Sequence, residues 1–130
     1  MSKVDFAEEL KKRTKKFAID IINLCKTLPR NNESFIISKQ LIRSATLVAA
    51  NYRAVCRARS DAEFYAKLCI VVEEADECVL WIEMIIETEL STNEKAKNLL
   101  KEANEILAIM ASSKKTTRIS NANRNQQFSN

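Results

Sequence analysis

Apolar residues recur along this chain at spacings of three and four, which is the period of one face of an α-helix. The first such stripe consists of Phe6, Leu10, Phe17, Ile21, Leu24 and Leu28. It ends at Pro29, which cannot continue a helical ladder, and the Asn31-Asn32 pair that follows favours a turn. The second stripe consists of Ile37, Leu41, Ala45, Val48, Tyr52 and Val55, with Ile42, Ala49 and Cys56 beside it. This wider apolar surface predicts a second helix in contact with two neighbours.

Two serines divide the rest of the chain into two further helices. The sequence from Ser60 to Glu63 fits a capping box, in which the serine side chain accepts from the Glu63 amide and Glu63 returns to the serine amide. The predicted third helix carries the most regular stripe, formed by Phe64, Leu68, Val71, Ala75, Cys78, Ile82 and Ile85. A second capping box, from Ser91 to Glu94, is predicted to begin a fourth helix. Its apolar face consists of Ala96, Leu99, Leu100, Ala103, Ile106, Leu107 and Met110.

Four helices joined by short connections predict an all-α fold, an antiparallel up-down-up-down four-helix bundle. The bundle is predicted to form one domain over residues 1–118. Residues 119–130 are rich in asparagine and glutamine and hold few apolar side chains. Such a segment buries too little surface to offset the entropy lost on ordering, so this tail is predicted to be disordered.

The chain of 130 residues contains no glycine and no histidine. Without glycine it lacks the P-loop, the dinucleotide-binding fingerprint and the nucleophile elbow, and without histidine it lacks the Ser-His-Asp and Cys-His catalytic groups. Most familiar enzyme classes are therefore excluded. The missing glycine also leads us to expect that no turn needs a positive φ angle, because Pro29 and the two capping boxes close the connections.

The four cysteines, Cys25, Cys56, Cys69 and Cys78, have no metal-binding spacing and lie in apolar helical stretches. This placement predicts reduced thiols rather than a zinc cluster or a disulfide framework. The charged N-terminus and the lack of a long apolar run predict neither a signal peptide nor a membrane span. We therefore expect a cytoplasmic protein with no metal and no other cofactor.

The net charge of +4 is unevenly distributed, with a net of +8 in residues 1–59, −8 in residues 60–113 and +4 from Lys114 onward. In an antiparallel bundle the first, second and fourth helices bring three basic groups to one end. These are Lys11, Lys12, Arg13, Lys15 and Lys16, then Arg53, Arg57 and Arg59, then Lys114, Lys115 and Arg118. Such a patch favours nucleic-acid backbones through counterion release, and the first two groups are the candidate nucleic-acid-binding residues. The alternative is a lysine-rich surface that serves only solubility.

An acidic cluster raises an enzymatic alternative. The candidate carboxylates are Glu73, Glu74 and Glu77 on the third helix and Glu102 and Glu105 on the fourth. Di-iron bundles need a Glu-x-x-His motif, which this chain lacks, but the spacing is formally compatible with an all-α nucleotide pyrophosphohydrolase that holds Mg²⁺. The simpler interpretation is a set of salt bridges to Arg43, Arg53 or Lys67.

Two other side chains stand out within the predicted helices. Asn51 lies among small residues in the middle of the second helix. If it is buried it needs a hydrogen-bond partner, and it could then fix the register of the helices. Trp81 on the third helix is predicted to be a core or interface anchor rather than a platform for a ligand.

Several short segments resemble one bacterial family. They are Ile37–Ser44 (ISKQLIRS), Ala50–Arg53 (ANYR), Arg57–Ser60 (RARS), Phe64 with Lys67-Leu68, Glu73–Glu77 (EEADE) and Trp81. Over about residues 6–115 the chain resembles the small four-helix-bundle proteins encoded in intervening sequences of large-subunit (23S) ribosomal RNA genes. It is also similar to accessory proteins of diversity-generating retroelements. The family's recurrent positions in this chain are Arg43, Ser44, Asn51, Glu74, Glu77 and Trp81.

The resemblance implies a non-enzymatic cytoplasmic protein that assembles as a homo-oligomer, with a pentamer as the form associated with the family. It implies binding to nucleic acid, structured RNA above all, and for the retroelement branch a reverse-transcriptase partner. It brings no catalytic or cofactor-binding residues. Three alternatives remain open at this point: the Mg²⁺-dependent pyrophosphohydrolase, an accessory protein to a reverse transcriptase, and a scaffold whose only partner is itself or another protein.

Overall fold

The structure is a computed structural model that describes residues 2–129, with side chains up to residue 126. Its four helices are α1 (Lys3–Lys26), α2 (Asn32–Cys56), α3 (Asp61–Glu87) and α4 (Glu94–Ser129). Consecutive helices run antiparallel, and the described residues contain no strand. The predicted all-α four-helix bundle is therefore confirmed. The main packing contacts join α1 to α2, α2 to α3 and α3 to α4, whereas the contact between α1 and α4 is much smaller.

The predicted stripes form one continuous core. Its largest fully buried side chains include Ile21, Leu41, Leu68, Ile82 and Ile106, so every helix contributes to it. Burial of each such side chain stabilises the fold by about 1.5–3 kcal/mol relative to leaving it in water. Phe6 is an exception within the first stripe, because its side chain is 45% exposed at the start of α1.

Side-chain caps begin the first three helices. Ser2 and Asn31 accept hydrogen bonds from the backbone amides of Asp5 and Ser34, and they begin α1 and α2. Ser60 begins α3 as predicted, since its hydroxyl accepts from the Glu63 amide at 3.1 Å. The second half of the predicted capping box is different, because the Glu63 carboxylate accepts from the amide of Arg59, at 3.3 Å, instead of the amide of Ser60.

The start of α4 also differs from the prediction. The cap is Asn93 rather than Ser91: the Asn93 side-chain oxygen accepts from the Lys95 amide at 2.9 Å. The Ser91 hydroxyl accepts from the Asn93 amide at 3.2 Å and so shapes the loop before the helix. Asparagine and serine are both strong N-cap residues, and the path of the loop decides which of them reaches the first free amides.

The end of α3 corrects the expectation that no turn needs a positive φ angle. Glu89 has a φ of 60°, in the left-handed region that glycine usually occupies. The Leu90 amide donates to the Ile85 carbonyl at 3.0 Å, and the Glu89 amide donates to the Ile86 carbonyl at 3.1 Å. This pair of bonds is a Schellman motif, and Leu90 completes it by packing against the core. A chain without glycine therefore uses glutamate at a position that favours glycine.

The last described residues of the chain extend helix α4. Helix α4 continues past Arg118 to Ser129, and Arg124 forms an ion pair with Asp61 at the start of α3. No glycine or proline interrupts this segment, so nothing in its sequence stops a helix that has already begun. Residues 119–126 lie mostly exposed, and Asn130 is outside the described residues. The domain boundary at residue 118 and the disorder of residues 119–130 both stay predictions.

Two further features concern cysteines and membranes. All four cysteines carry free thiols; Cys78 is buried in the core, and Cys56 is exposed at the end of α2. Burial raises the pKa of the Cys78 thiol to about 12, so this side chain stays protonated near neutral pH. Over residues 2–129, none of the helices has a stretch apolar and long enough to cross a bilayer.

Candidate nucleic-acid interface

A depression between α1 and α2 gathers part of the predicted basic group. Lys11, Lys12 and Lys15 of α1 and Arg53 of α2 line it, and its volume is about 410 Å³. Lys11 and Lys15 are four residues apart and so lie on one face of α1. Small side chains, including Ala49 and Ala50, also line the depression.

A second depression lies at the end of α2 and shares Arg53 with the first. Arg53, Arg57 and Arg59 line it together with Glu63 of α3, and its volume is about 590 Å³. Arg57 is the C-cap of α2, and Arg59 lies in the connection between α2 and α3. Because Arg53 belongs to both depressions, they form one continuous strip. We call its six cations, Lys11, Lys12, Lys15, Arg53, Arg57 and Arg59, the basic surface.

Most cations of the basic surface have no acidic partner. Lys11 pairs with Glu8, one turn earlier on α1, at 2.7 Å. The other five have no ion pair with any carboxylate of the described residues. All five are exposed, so their charges face the solvent and stay available to a polyanion.

Two predicted nucleic-acid-binding residues are engaged elsewhere. Arg13 turns away from the basic surface and reaches α4, where it binds both carboxylate oxygens of Glu102, at 2.8 and 2.6 Å, and Glu105 at 2.7 Å. Hydrogen bonding to Glu102 raises the pKa of Arg13. Lys16 is exposed and pairs with Asp20 within α1 at 2.6 Å. Bonding to Asp20 likewise raises the pKa of Lys16.

The third basic group lies on α4, near the end of the bundle where α1 begins. Lys114 is half-buried, and Lys115 and Arg118 are exposed. None of the three lines the two depressions described above. They add positive charge to the same end of the molecule without joining the basic surface.

The candidate carboxylates of the enzymatic alternative do not converge. Glu102 and Glu105 bind Arg13 of α1, whereas the nearest cation to Glu74 is Arg43 of α2, at 3.7 Å. In the described part of the chain, no group of three or more cysteine or carboxylate side chains is arranged to hold a metal ion. The geometry therefore gives no support to a Mg²⁺ site built from these glutamates.

A different set of residues lies along the outer side of α2 and α3. Glu74 is only 9% exposed, and its burial, together with the neighbouring Glu77, raises the pKa of its carboxyl group despite Arg43. The hydroxyl of Ser44, which is fully buried, lies close enough to Glu74 to favour the ionised form. Trp81 is half-buried, and its Nε1 has no hydrogen-bond partner among the described residues.

Apolar side chains extend this outer side. Ile70 lies four residues before Glu74, and Trp81 and Met84 lie four and seven residues after Glu77, so all of them share one side of α3. Arg43 of α2 lies beside Glu74 of α3. Because the two helices are antiparallel, the residue seven positions before Arg43, which is Ile36, lies level with the residue seven positions after Glu74, which is Trp81. Ile36 is 58% exposed and Met84 is 40% exposed. We call the surface formed by Ile36, Arg43, Ile70, Glu74, Glu77, Trp81 and Met84 the α2–α3 face.

A cavity that the sequence did not predict opens at the end of the bundle that carries the basic surface. It has a volume of about 790 Å³ and lies between the starts of α1 and α3 and the far parts of α2 and α4. Phe6, Tyr52 and Phe64 contribute its aromatic side chains. We call it the end cavity. The sequence contained one indication of this cavity: Phe6 and Phe64 lie in the first turns of α1 and α3, and these two helices start at the same end of an antiparallel bundle.

Comparison with known proteins places the chain in a family. The family model described as 23S rRNA-intervening sequence protein matches residues 8–112, which is most of the chain. The chain belongs to this family. A crystal structure at 1.70 Å of a protein with unknown function from the S23 ribosomal protein family of Bacteroides thetaiotaomicron is similar to it. The two are 37% identical, with a TM-score of 0.74, over 81% of this chain and 97% of the other. No protein with a curated description matches the chain.

The resemblance to the 23S rRNA-intervening sequence proteins that the sequence suggested is therefore confirmed, and its recurrent positions have a structural location. Arg43, Glu74, Glu77 and Trp81 belong to the α2–α3 face, and Ser44 lies beneath it. Asn51 is half-buried, and its side-chain amide donates to the Leu47 carbonyl at 2.9 Å. This bond stays within one turn of α2 and links no two helices, so a role of Asn51 in fixing the register stays a prediction.

Proposed function

We propose that this member of the 23S rRNA-intervening sequence protein family binds structured RNA through its basic surface, without catalysing a reaction. The observation that carries the proposal is the continuous strip of five exposed cations without acidic partners on α1, α2 and the α2–α3 connection. A polyanion bound there would release its counterions, which is the main source of affinity in such interfaces. The names of the family and of the similar structure refer to ribosomal RNA and to a ribosomal protein, and this selects structured RNA as the first polyanion to test.

The test is the salt dependence of binding to a fluorescently labelled RNA hairpin, measured by anisotropy. If about five phosphates are neutralised, affinity falls roughly a hundredfold or more between 50 and 200 mM salt. The double variant Lys15→Gln/Arg53→Gln removes two of these contacts, so the slope of log K against log salt becomes shallower by about two.

The matched control removes two cations from elsewhere on the molecule. Lys39→Gln/Lys95→Gln changes the net charge equally, and neither side chain lines the basic surface. We expect this variant to bind like the wild type. Equal weakening by both double variants would assign binding to general positive charge and would contradict the proposal.

We further propose that the protein acts as a homo-oligomer in which a second copy covers the α2–α3 face. The support is the exposure of Ile36 and Met84 beside the half-buried side chain of Trp81, because interfaces favour apolar and aromatic side chains. Charge complementarity favours the same arrangement, since the segment up to residue 59 is net positive and the segment from 60 to 113 is net negative. A pentamer is the form that the family resemblance implies.

Sedimentation equilibrium tests this assembly. We expect the wild type to have a mass that is a multiple of its 14.8 kDa monomer, five times for a pentamer. The double variant Ile36→Lys/Met84→Lys introduces charge into the α2–α3 face, so we expect this variant to be monomeric. The control Ile19→Lys changes an exposed isoleucine of α1 away from this face and should leave the mass unchanged. A wild-type mass of one chain would contradict the assembly.

A further inference from the structure

The end cavity has the size and lining of a ligand-binding site. Its volume of about 790 Å³ lies within the range usual for small-molecule pockets. Lys3 is the single charged residue among the described side chains that line it, and the others are apolar, aromatic or hydroxyl-bearing. An interior of this kind suits a flat or apolar group that carries polar atoms at its edge.

The aromatic side chains are placed at different depths. Phe6 of α1 is 45% exposed, Phe64 of α3 is half-buried, and Tyr52 of α2 is buried. Phe6 and Phe64 therefore present ring surface to a group that enters from the solvent. Every nucleobase has a π-face that stacks on such rings, whatever its identity.

Helix α4 contributes hydroxyl groups from two successive turns to the lining of the cavity. They belong to Ser112, Ser113, Thr116 and Thr117. The hydroxyls of Ser113 and Thr117 donate to the carbonyls of Ile109 and Ser113, and they keep their lone pairs as acceptors. The free lone pairs of these two hydroxyls can accept hydrogen bonds from the amino or imino groups at the edge of a base.

The end cavity lies next to the basic surface. Cys56, which lines the cavity, feels the positive charge of Lys11, and Ala58 lines the cavity between Arg57 and Arg59. A phosphate backbone on the basic surface would therefore lie near the cavity. The positive charge beside the cavity suits a phosphate backbone, and the aromatic rings inside it suit a base. Both properties together point to a nucleotide.

We propose that the end cavity receives a single unstacked nucleobase of an RNA whose backbone lies on the basic surface. This inference rests on the proposed RNA binding and adds a preference for RNA with an unpaired nucleotide over a fully paired helix. Single-stranded loops and bulges are where proteins stack bases on aromatic side chains, because bases inside a helix are not accessible.

The test uses two RNA hairpins that differ by one nucleotide. One has a single bulged 2-aminopurine, a fluorescent base whose emission changes on stacking, and the other is fully paired. We expect the full-length protein to bind the bulged hairpin about tenfold more tightly than the fully paired one, because stacking of one base contributes about that much affinity. We also expect binding to quench the 2-aminopurine emission.

Variants at Phe6 separate stacking from charge. Phe6→Leu keeps an apolar side chain but loses the ring, so the preference for the bulged RNA and the quenching both disappear while binding to the paired hairpin is unchanged. Phe6→Trp keeps a stacking surface and retains both effects. The control Phe35→Leu changes a phenylalanine that is 62% exposed at the opposite end of the bundle, and it leaves both effects intact. Circular dichroism of each variant checks that the helices are preserved.

Each outcome has a defined meaning. Equal binding of both hairpins by the wild type, or binding without quenching, overturns the base site while leaving RNA binding by the basic surface in place. That is the result expected if a second copy of the chain fills the cavity instead. Failure of the wild type to bind either hairpin at low salt overturns the proposed function and the base site together.

Discussion

Glu89 is the residue with the clearest conformational cost in the molecule. Its left-handed backbone places a Cβ atom close to the following carbonyl, and glycine avoids that contact. We expect Glu89→Gly to increase the free energy of unfolding by about 0.5–1 kcal/mol, because the Schellman bonds stay and the steric strain goes. The corresponding rise in Tm is about 2–5 °C, measured by circular dichroism.

A neighbouring glycine substitution serves as the control for Glu89. Glu87 is the last residue of α3 and keeps helical geometry, so Glu87→Gly should lower the free energy of unfolding by up to about 1 kcal/mol. If both glycine variants changed stability in the same direction, the conformational explanation for Glu89 would be wrong.

Glu74 makes stability depend on pH at the residue scale. The charged groups facing it are Arg43 from α2 and Glu77 from α3, and burial together with Glu77 raises the pKa of Glu74 above its ordinary value. In the window between the ordinary and the raised pKa, the folded state holds a proton that the unfolded state has released. Stability from this group is therefore greatest below the ordinary pKa of 4.5 and decreases as pH rises through the raised one.

The variant Glu74→Gln removes this titration and keeps the shape of the side chain. We expect wild type and variant to differ most near pH 7, with the variant relatively more stable there, and this advantage to shrink as pH falls to 4. Urea unfolding at a series of pH values measures the difference. A difference that stays constant from pH 4 to 7 would show that Glu74 titrates alike in the folded and unfolded chains.

At the scale of elements, Arg13 is the main polar link between α1 and α4, which otherwise share few contacts. Its guanidinium binds Glu102 in a two-pronged geometry and Glu105 as well. We expect Arg13→Gln to lower the free energy of unfolding by about 1 kcal/mol, the upper range for partly exposed pairs with good geometry. Urea unfolding in 0.1 and 0.5 M NaCl measures this, and the loss should be smaller at high salt.

Lys16 provides the comparison for Arg13. Its pair with Asp20 lies within α1 and is exposed, so Lys16→Gln should change stability little. Equal effects of the Arg13 and Lys16 variants would indicate that removal of positive charge from α1, rather than loss of the link to α4, is what matters.

The last part of α4 provides the second prediction at this scale. Residues 119–126 are mostly exposed and bury little surface, and the Arg124–Asp61 ion pair is one of their links to the rest of the bundle. Deletion of residues 119–130 should therefore lower the free energy of unfolding by less than about 1 kcal/mol. Hydrogen exchange should be fast after Arg118 and slow around Ile106. Slow exchange in the segment after Arg118 would show that it is an integral part of the bundle.

For the whole molecule, helix positions were predictable because burial alone dictates them. Apolar stripes such as the one through Leu68 and Ile82 recur without interruption, and the short connections between them favour antiparallel neighbours. The helix ends were less predictable. Asn93 and Ser91 are equally good caps, and the choice between them depends on the path of the loop after Glu89.

The site was only partly predictable for a related reason. Lys12 and Arg13 are adjacent in sequence but point about 100° apart around α1, so a small rotation of the helix decides which of them faces α4. The sequence placed both in one basic group. The end cavity depends on how far α1 separates from α4 near Phe6, and a stripe pattern contains no information on that distance.

The order in which the helices pack has a consequence for how quickly the protein folds. Each extensive contact joins helices that are consecutive in the chain, and the small α1–α4 contact is the one that spans nearly its whole length. Contacts so local predict folding within microseconds to milliseconds, with α1 and α4 closing on each other last. Arg13→Gln should therefore leave the folding rate unchanged and accelerate unfolding about fivefold. Stopped-flow kinetics would then identify the α1–α4 contact as the seam where this bundle opens first.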